Sequence, residues 1–104
     1  MLSFLKKLFS SQPKADLGEL IKKGAVIVDV RSKGEFQTGH LKGSINIPLQ
    51  NLRDNFSKIR KDKPIITCCA SGARSASAKS ILKSNGFTDV HNGGAWTNLR
   101  RYKN

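Results

Sequence analysis

The sequence predicts an α/β domain built on a small, mostly parallel β-sheet flanked by helices on both faces. Two patterns favour this fold. Short runs rich in β-branched residues alternate with amphipathic stretches along the chain, an order that is typical of parallel sheets. Some of these runs are apolar almost throughout, as expected for strands buried on both faces. The chain has 104 residues, of which 38% are hydrophobic, and this composition supplies the core of a single domain.

The first half of the domain is predicted to contain three short helices and two strands. Capping residues mark the starts of helices, and glycine marks their ends. The elements are a helix from Asp16 to Gly24 with Glu19 in its first turn, a strand from Ala25 to Val30, a helix that begins near Ser32 and Glu35 and stops at Gly39, a strand from Ile45 to Ile47 closed by Pro48, and an amphipathic helix through Leu49, Leu52 and Phe56.

The second half is predicted to contain two more strands, a longer helix and a terminal helical turn. The longer helix is rich in alanine and serine, and a glycine follows its C-terminal end. The elements are a buried strand from Ile65 to Cys68, a helix from Ser75 to Ser84 followed by Gly86, a strand from Phe87 to His91, and one or two helical turns from Trp96 to Tyr102.

The chain is strongly basic, with 19 Lys and Arg against 7 Asp and Glu and a formal net charge of +12. Such a charge favours anionic partners, which include small anions, an acidic protein and nucleic acid. The basic residues are spread along the chain and aromatic residues make up only 7%, so no stacking platform for bases is predicted. We therefore expect no nucleic-acid partner. A solvated basic surface is the favoured interpretation, and an acidic partner protein is the alternative.

Residues 1–13 are predicted to form an amphipathic N-terminal segment and linker, and residues 14–104 the folded domain. Leu2, Leu5 and Phe9 share one side of a helical wheel, and Lys6 and Lys7 lie opposite. So short a helix is marginal on its own, so docking on the domain or fraying is favoured over membrane contact through residues 1–9. The chain contains no apolar run long enough to span a bilayer and no secretory signal pattern.

One segment at a strand-to-helix junction carries residues suited to chemistry: Cys69-Ala70-Ser71-Gly72-Ala73-Arg74-Ser75. A helix N-terminus offers unpaired N–H groups and a partial positive charge. Small residues let successive amides turn inward as an anion-binding nest. Gly72 can adopt positive φ, and Arg74 adds a permanent cation. The candidate nucleophile is Cys69, with a lowered pKa, and the candidate substrate-binding residues are Ala70, Ser71, Gly72, Ala73 and Arg74. The alternative is a buried structural cysteine at a strand end.

The neighbouring cysteine, Cys68, is predicted to belong to the core. Successive side chains of a strand point to opposite faces, so Cys68 faces away from the side that Cys69 faces. Adjacent cysteines cannot form an ordinary disulfide without severe strain, and thiols that stay reduced suit the cytoplasm. The histidines, His40 and His91, lie far from the cysteines in sequence. No metal site and no cofactor are expected.

Three ordered motifs together resemble those of the rhodanese family. The cysteine loop matches the family pattern of Cys, two residues, Gly, one residue, Arg and Ser. The upstream motif is Asp29-Val30-Arg31, Glu35-Phe36, Gly39-His40-Leu41, Gly43 and Ile45-Asn46-Ile47-Pro48, and the downstream motif is Gly86-Phe87, Val90, Asn92-Gly93-Gly94 and Trp96. The resemblance covers about residues 16 to 99.

This resemblance implies a rhodanese-like fold and a double-displacement sulfurtransferase reaction. Cys69 would take a sulfane sulfur from a small anionic donor, such as thiosulfate or polysulfide, and become a persulfide. A thiol or cyanide would then accept the sulfur. The backbone amides of Ala70 to Arg74 would stabilise the anionic persulfide, and Arg74 would help to bind the donor.

Four charged or ionisable residues of the upstream motif, and one tryptophan, are interpreted as structural rather than catalytic. Paired charges below a site often hold loops in place, and an ion-pair and hydrogen-bond network is expected there. The four are Asp29, Arg31, Glu35 and His40. Trp96 is expected to be a core residue.

Two other functions stay open at this point. Dual-specificity phosphatases that share the fold use a loop one residue longer, and counting from Cys68 instead of Cys69 gives that length before Arg74. The position of Gly72 and the strand alternation favour Cys69. The second alternative is a non-catalytic binding module, which is disfavoured because the cysteine is present.

Overall fold

The computed structural model describes residues 16–103, in which four parallel strands form one sheet of order β2-β1-β3-β4. The strands are β1 at Val26–Asp29, β2 at Ile45–Asn46, β3 at Ile65–Cys69 and β4 at Val90–Ala95. Because all four run the same way, their carboxyl ends meet at a single edge of the sheet. The predicted amphipathic segment lies outside the described residues. No helix within residues 16–103 is long and apolar enough to cross a bilayer.

Within the described residues, three α-helices and two 3₁₀ helices lie before, between and after the strands. They are α1 at Leu17–Lys22, α2 at Lys33–Gln37, α3 at Ala73–Ser84, and the 3₁₀ helices at Leu49–Lys58 and Trp96–Tyr102. The predicted caps are confirmed at both early helices. The Asp16 carboxylate accepts from the Glu19 N–H at 3.2 Å, and Ser32 with Glu35 forms a reciprocal capping box at the start of α2.

The sheet has a separate apolar core on each face. One core includes Val28, Leu52, Leu82 and Phe87, and α3 and the 3₁₀ helix Leu49–Lys58 contribute to it. The other includes Ile27, Ile66 and Leu99, with the apolar side of α1 packed against it. Alternation along β3 divides its side chains between the two cores. The predicted fold class, an α/β domain with helices on both faces of a parallel sheet, is therefore confirmed.

The predicted fourth strand was placed too early in the chain. It was expected at Phe87–His91, but β4 spans Val90–Ala95 and includes a glycine pair. Phe87 is instead buried in the loop between α3 and β4, with its ring centroid 5.6 Å from that of Phe56. A Cβ on Gly93 would lie 2.7 Å from the Ile66 side chain. Glycine therefore lets β4 approach β3 closely at this position.

Two other elements differ from the predicted ones. The amphipathic helix predicted through Leu49, Leu52 and Phe56 is a 3₁₀ helix that departs from helical geometry at Asn55. There the Asn55 side-chain amide donates to the Asn51 carbonyl at 2.7 Å, in competition with the backbone N–H groups that would continue an α-helix. Helix α3 begins at Ala73, before the predicted Ser75, so its first turn directly faces the cysteine.

Candidate active site

Cys69 ends strand β3 at the carboxyl edge of the sheet, with 1% of the residue exposed. Its sulfur lies under the first turn of α3. The Gly72 N–H donates to Sγ at 3.0 Å, and the Ser75 N–H donates at 3.4 Å. The thiol lies 3.5 Å from the Ser75 hydroxyl oxygen. Two backbone N–H groups of the turn therefore point at the sulfur, and the Ser75 hydroxyl lies beside it.

Gly72 gives this turn its shape. It caps α3 with φ +107°, a left-handed conformation that favours glycine. Its own N–H points at the sulfur, while its carbonyl accepts from the Ala76 N–H at 3.0 Å within the first helical turn. One residue thus both starts the helix and aims an amide at Cys69.

Thr67 and Asn92 fix the turn to the sheet. The fully buried Thr67 hydroxyl donates to the Ser75 carbonyl at 2.8 Å. The Ser75 hydroxyl lies 2.6 Å from the Asn92 side-chain oxygen, which also accepts from the Gly94 N–H at 2.9 Å. Strands β3 and β4 thereby hold Ser75 against the sulfur.

The pKa of Cys69 lies below the ordinary value of 9.0. Burial acts to raise it, but the Ser75 hydroxyl and the N–H groups of Ser75, Gly72 and Ser71 together outweigh burial. These donors bind a thiolate more strongly than a thiol. The pKa of Cys69 is therefore lowered, as the sequence predicts, because hydrogen bonds stabilise its thiolate.

Cys68 has the opposite environment. Its side chain packs in the core that contains Ile66 and Leu99, on the other face of the sheet from Cys69. Burial and the nearby Asp29 charge raise its pKa to about 12. The prediction that Cys68 belongs to the core is confirmed, and the longer loop counted from Cys68 would begin at a thiol that faces away from the turn.

Arg74 lies in the first turn of α3 and is paired with Glu35 of α2. Its Nη1 donates to Glu35 Oε1 at 2.7 Å and its Nη2 donates to Oε2 at 3.0 Å. The Arg74 guanidinium, together with the Ser32 N–H, lowers the pKa of Glu35 to about 2. Two of the five guanidinium N–H groups are thus engaged by Glu35.

The other residues of the upstream motif form the expected network. The Arg31 side chain donates to both carboxylate oxygens of Asp29, at 2.8 to 3.1 Å, and both residues are buried. It also donates to the Gly39 carbonyl at 2.7 Å. His40 donates from Nδ1 to the Phe36 carbonyl at 2.8 Å. These contacts hold the segments that follow β1.

The predicted site residues are distributed around the turn as follows. Cys69 is buried, Ala70, Ser71 and Ala73 are exposed at the rim, and Gly72 and Arg74 are half-buried. Trp96 is half-buried against the second core, with the Arg31 and Arg100 guanidinium groups 4.7 and 5.2 Å from its ring. Within residues 16–103 no cluster of His, Cys, Asp or Glu could hold a metal ion.

Sequence reasoning missed Ser75, which gives Sγ both an N–H and a hydroxyl contact. Its place directly after Arg74, in the first turn of the helix, was the available signal. Glu35 was assigned only a structural role, although it contacts a predicted substrate-binding residue. Glu35 and Arg74 lie 39 residues apart in the sequence, and no local pattern connects residues so distant. Only the structure shows that they form an ion pair.

Comparison with known proteins adds three findings. The sequence profile described as Rhodanese-like domain matches residues 13–96. Thiosulfate sulfurtransferase GlpE of Pseudomonas savastanoi is 35% identical over 83 residues, which are 80% of this chain and 78% of that protein. Uncharacterized protein YqhL of Bacillus subtilis is 41% identical over 68 residues, which are 65% of this chain but only 54% of YqhL.

The solved structures agree with the fold. The structure titled rhodanese with anions, from E. coli, matches with a TM-score of 0.67 and 32% identity. The match covers 71% of this chain and 89% of that one. The parallel sheet with helices on both faces is therefore shared with a solved rhodanese.

Proposed function

Because the chain belongs to the Rhodanese-like domain family, we propose that it is a sulfurtransferase in which Cys69 carries the sulfur as a persulfide. The donor is a small anion with a sulfane sulfur, such as thiosulfate or polysulfide, and the acceptor is a thiol or cyanide. The single observation that carries the proposal is the pair of backbone N–H groups, from Gly72 and Ser75, that donate to Sγ.

The chemistry follows from this environment. The lowered pKa of Cys69 makes the thiolate available, and a thiolate is the nucleophile that attacks the sulfane sulfur. In thiosulfate the attack forms the Cys69 S–S bond and breaks the donor S–S bond, with sulfite as the leaving group. The extra sulfur is a singly charged terminal atom, and preorganised N–H groups stabilise it.

Arg74 is proposed to meet the donor. Its free N–H groups lie at the rim of the turn, and the Glu35 pair keeps the side chain ordered. An anionic donor gains charge-assisted hydrogen bonds there. The two free thiols favour a reducing compartment, and we propose that the protein acts in the cytoplasm.

Persulfide formation is the decisive test. The purified protein is treated with thiosulfate, desalted and measured by intact-mass spectrometry before and after cyanide. We expect a gain of one sulfur atom on Cys69, located by peptide mapping, and its loss to cyanide. The Cys69→Ser variant is the control and should gain none. If wild type forms no adduct with thiosulfate or polysulfide, and instead hydrolyses aryl phosphate, the proposed function is wrong.

A further inference from the structure

Residues 1–9 carry an amphipathic sequence pattern that sulfur transfer at Cys69 does not use. At about 100° per residue, their apolar side chains fall on one continuous side of a helical wheel and their polar side chains on the other. The apolar residues are Met1, Leu2, Phe4, Leu5, Leu8 and Phe9, and the polar residues are Ser3, Lys6 and Lys7. Leucine and phenylalanine opposite lysine are typical of helices that lie in the interface of an anionic membrane.

The described domain exposes little apolar surface that could receive this segment. Within residues 16–103, the only exposed large hydrophobic side chain is Tyr102, at 39%. The apolar residues of α1, Leu17, Leu20 and Ile21, pack against the second core. Docking on the domain, which the sequence alone favours, therefore lacks a matching apolar surface among these residues. A membrane interface would cover the segment and also stabilise a helix that is too short to persist in water.

Tyr102 lies beside the point at which residues 1–15 join the domain. A Cβ on Gly18, in the first turn of α1, would lie 2.9 Å from the Tyr102 ring, so the ring packs against the start of this helix. The neighbouring Asp16 carboxylate is engaged as the cap of α1. Tyrosine is enriched at membrane interfaces because its ring is apolar and its hydroxyl is polar. The exposed ring and the amphipathic segment thus meet at the same end of α1.

Exposed basic residues extend the surface around this ring. The Arg101 guanidinium lies 6.0 Å from the centre of the Tyr102 ring. Lys103 Nζ would lie 3.5 Å from a Cβ on Gly43, which follows the exposed Lys42. The ion pairs within residues 16–103 use other cations, namely Lys22, Arg31, Arg60, Arg74 and His91. Lys42, Arg101, Tyr102 and Lys103, here called the basic exit surface, therefore present positive charge beside the amphipathic segment.

The basic exit surface and the cysteine turn belong to opposite faces of the sheet. Helix α1 and Leu99, in the 3₁₀ helix Trp96–Tyr102, pack on one face. Cys69 and helix α3 contribute to the core on the other face. A membrane that contacts the basic exit surface therefore leaves the cysteine turn open to solvent.

From these observations we propose that residues 1–9 and the basic exit surface bind the protein peripherally to a bilayer that contains anionic phospholipids. The apolar side chains of residues 1–9 enter the acyl boundary, and Lys6 and Lys7 meet the lipid phosphates. Arg101 and Lys103 add a second electrostatic contact, because each basic residue near an anionic bilayer strengthens binding by about fivefold. Stable attachment to a membrane takes two such contacts. The inference does not depend on sulfur transfer.

Vesicle sedimentation tests the proposal on the full chain. The purified protein is mixed with vesicles of phosphatidylcholine that contain about one third phosphatidylglycerol, and with vesicles of phosphatidylcholine alone. We expect binding to the anionic vesicles that is about tenfold or more tighter and that weakens with added salt. Leu5→Ser combined with Phe9→Ser should weaken this binding by about tenfold or more, because two large apolar side chains no longer enter the acyl boundary.

A second pair of variants tests the basic exit surface. Arg101→Ser combined with Lys103→Ser should weaken binding to the anionic vesicles by about tenfold, because two cations near the lipid are lost. Lys58→Ser combined with Lys83→Ser removes the same charge at exposed positions on the other face of the sheet. This control should stay within about twofold of wild type. Circular dichroism checks that each variant is folded.

Several outcomes would overturn the inference. One is failure of wild type to bind anionic vesicles while Leu5→Ser with Phe9→Ser lowers the urea midpoint, since residues 1–9 would then dock on the domain. Another is binding of wild type to immobilised polyglutamate but not to vesicles, which would indicate an acidic protein partner. Equal binding of the two lysine and arginine variants would remove the basic exit surface from the contact. Vesicles should also leave the rate of Cys69 alkylation by iodoacetamide unchanged, and protection of Cys69 would refute the orientation.

Discussion

Glu35 and Arg74 join the helix after β1 to the helix after β3 through two hydrogen bonds, at 2.7 and 3.0 Å. Each side chain is 38% exposed, so the ion pair lies at the rim of the site rather than in the core. It contributes little to stability, about 1 kcal/mol or less for a pair so exposed. Its larger consequence is for the charge of the site: Arg74 is the only cationic residue of the cysteine turn, and the Glu35 carboxylate already forms an ion pair with it.

The first prediction concerns acid stability. The pKa of Glu35 falls from 4.5 to about 2 on folding, so its contribution is fully present above pH 4.5 and is lost as the pH falls through about 2. Over that window the free energy of unfolding should fall more steeply for wild type than for Glu35→Gln, as measured by urea denaturation. Asp54→Asn, at another exposed carboxylate, should follow wild type. Parallel curves for wild type and Glu35→Gln would contradict the assigned pairing.

The second prediction concerns donor binding. Arg74→Ala should raise KM for thiosulfate by about tenfold or more, because it removes a charge-assisted contact worth about 1.5–3 kcal/mol. It also leaves the Glu35 carboxylate unpaired, which repels an anionic donor. Glu35→Gln combined with Arg74→Ala should therefore recover part of the loss. Arg53→Ala, at an exposed arginine outside the turn, is the control, and an unchanged KM in Arg74→Ala would refute the role.

The third prediction separates the two cysteines. Cys69→Ser should reduce sulfur transfer to the uncatalysed background, because only Cys69 is held by the turn. Cys68→Ala should keep most activity, because its thiol packs among apolar side chains on the other face and has a pKa raised to about 12. The assay is thiosulfate-to-cyanide transfer with folding checked by circular dichroism. Equal loss in two folded variants would mean that both cysteines act.

Much of the fold was predictable because its signals are local. The caps at Asp16 and Ser32 and the buried runs of β1 and β3 depend on residues a few positions apart, and the structure confirms them. The extent of β4 depends on contact with a distant strand. A glycine at 93 is required by the side chain of Ile66, which no local pattern reveals.

The residues of the site also fall into those with a local sequence signal and those whose contacts depend on the folded sheet. Cys69 and Gly72 could be identified from the sequence because a buried strand that is followed by a cysteine and then a glycine predicts a turn at that position. The partners that complete the site come from elsewhere in the chain, since Glu35 reaches Arg74 and Asn92 reaches Ser75 only after the sheet has formed. Without the sheet order, the sequence could not assign these pairs.

The last prediction assigns Ser75 a positioning role at the sulfur. Its hydroxyl and N–H both help to lower the pKa of Cys69 against the effect of burial. Ser75→Ala keeps the N–H but removes the hydroxyl, so the pKa of Cys69 should rise. In a Cys68→Ala background, ultraviolet absorbance of the thiolate follows Cys69 alone, and its titration should move to higher pH.

The activity should move with the titration. The rising limb of kcat/KM against pH should shift in the same direction, and activity should recover at alkaline pH, where the thiolate forms without help from the hydroxyl. Ser77→Ala, at an exposed serine of the same helix, is the control and should titrate like wild type. Ser75 is buried and its hydroxyl bonds Asn92, so Ser75→Ala also costs about 1–3 kcal/mol of stability. A purely structural role would lower stability and leave the titration where it was, and that result would refute the assignment.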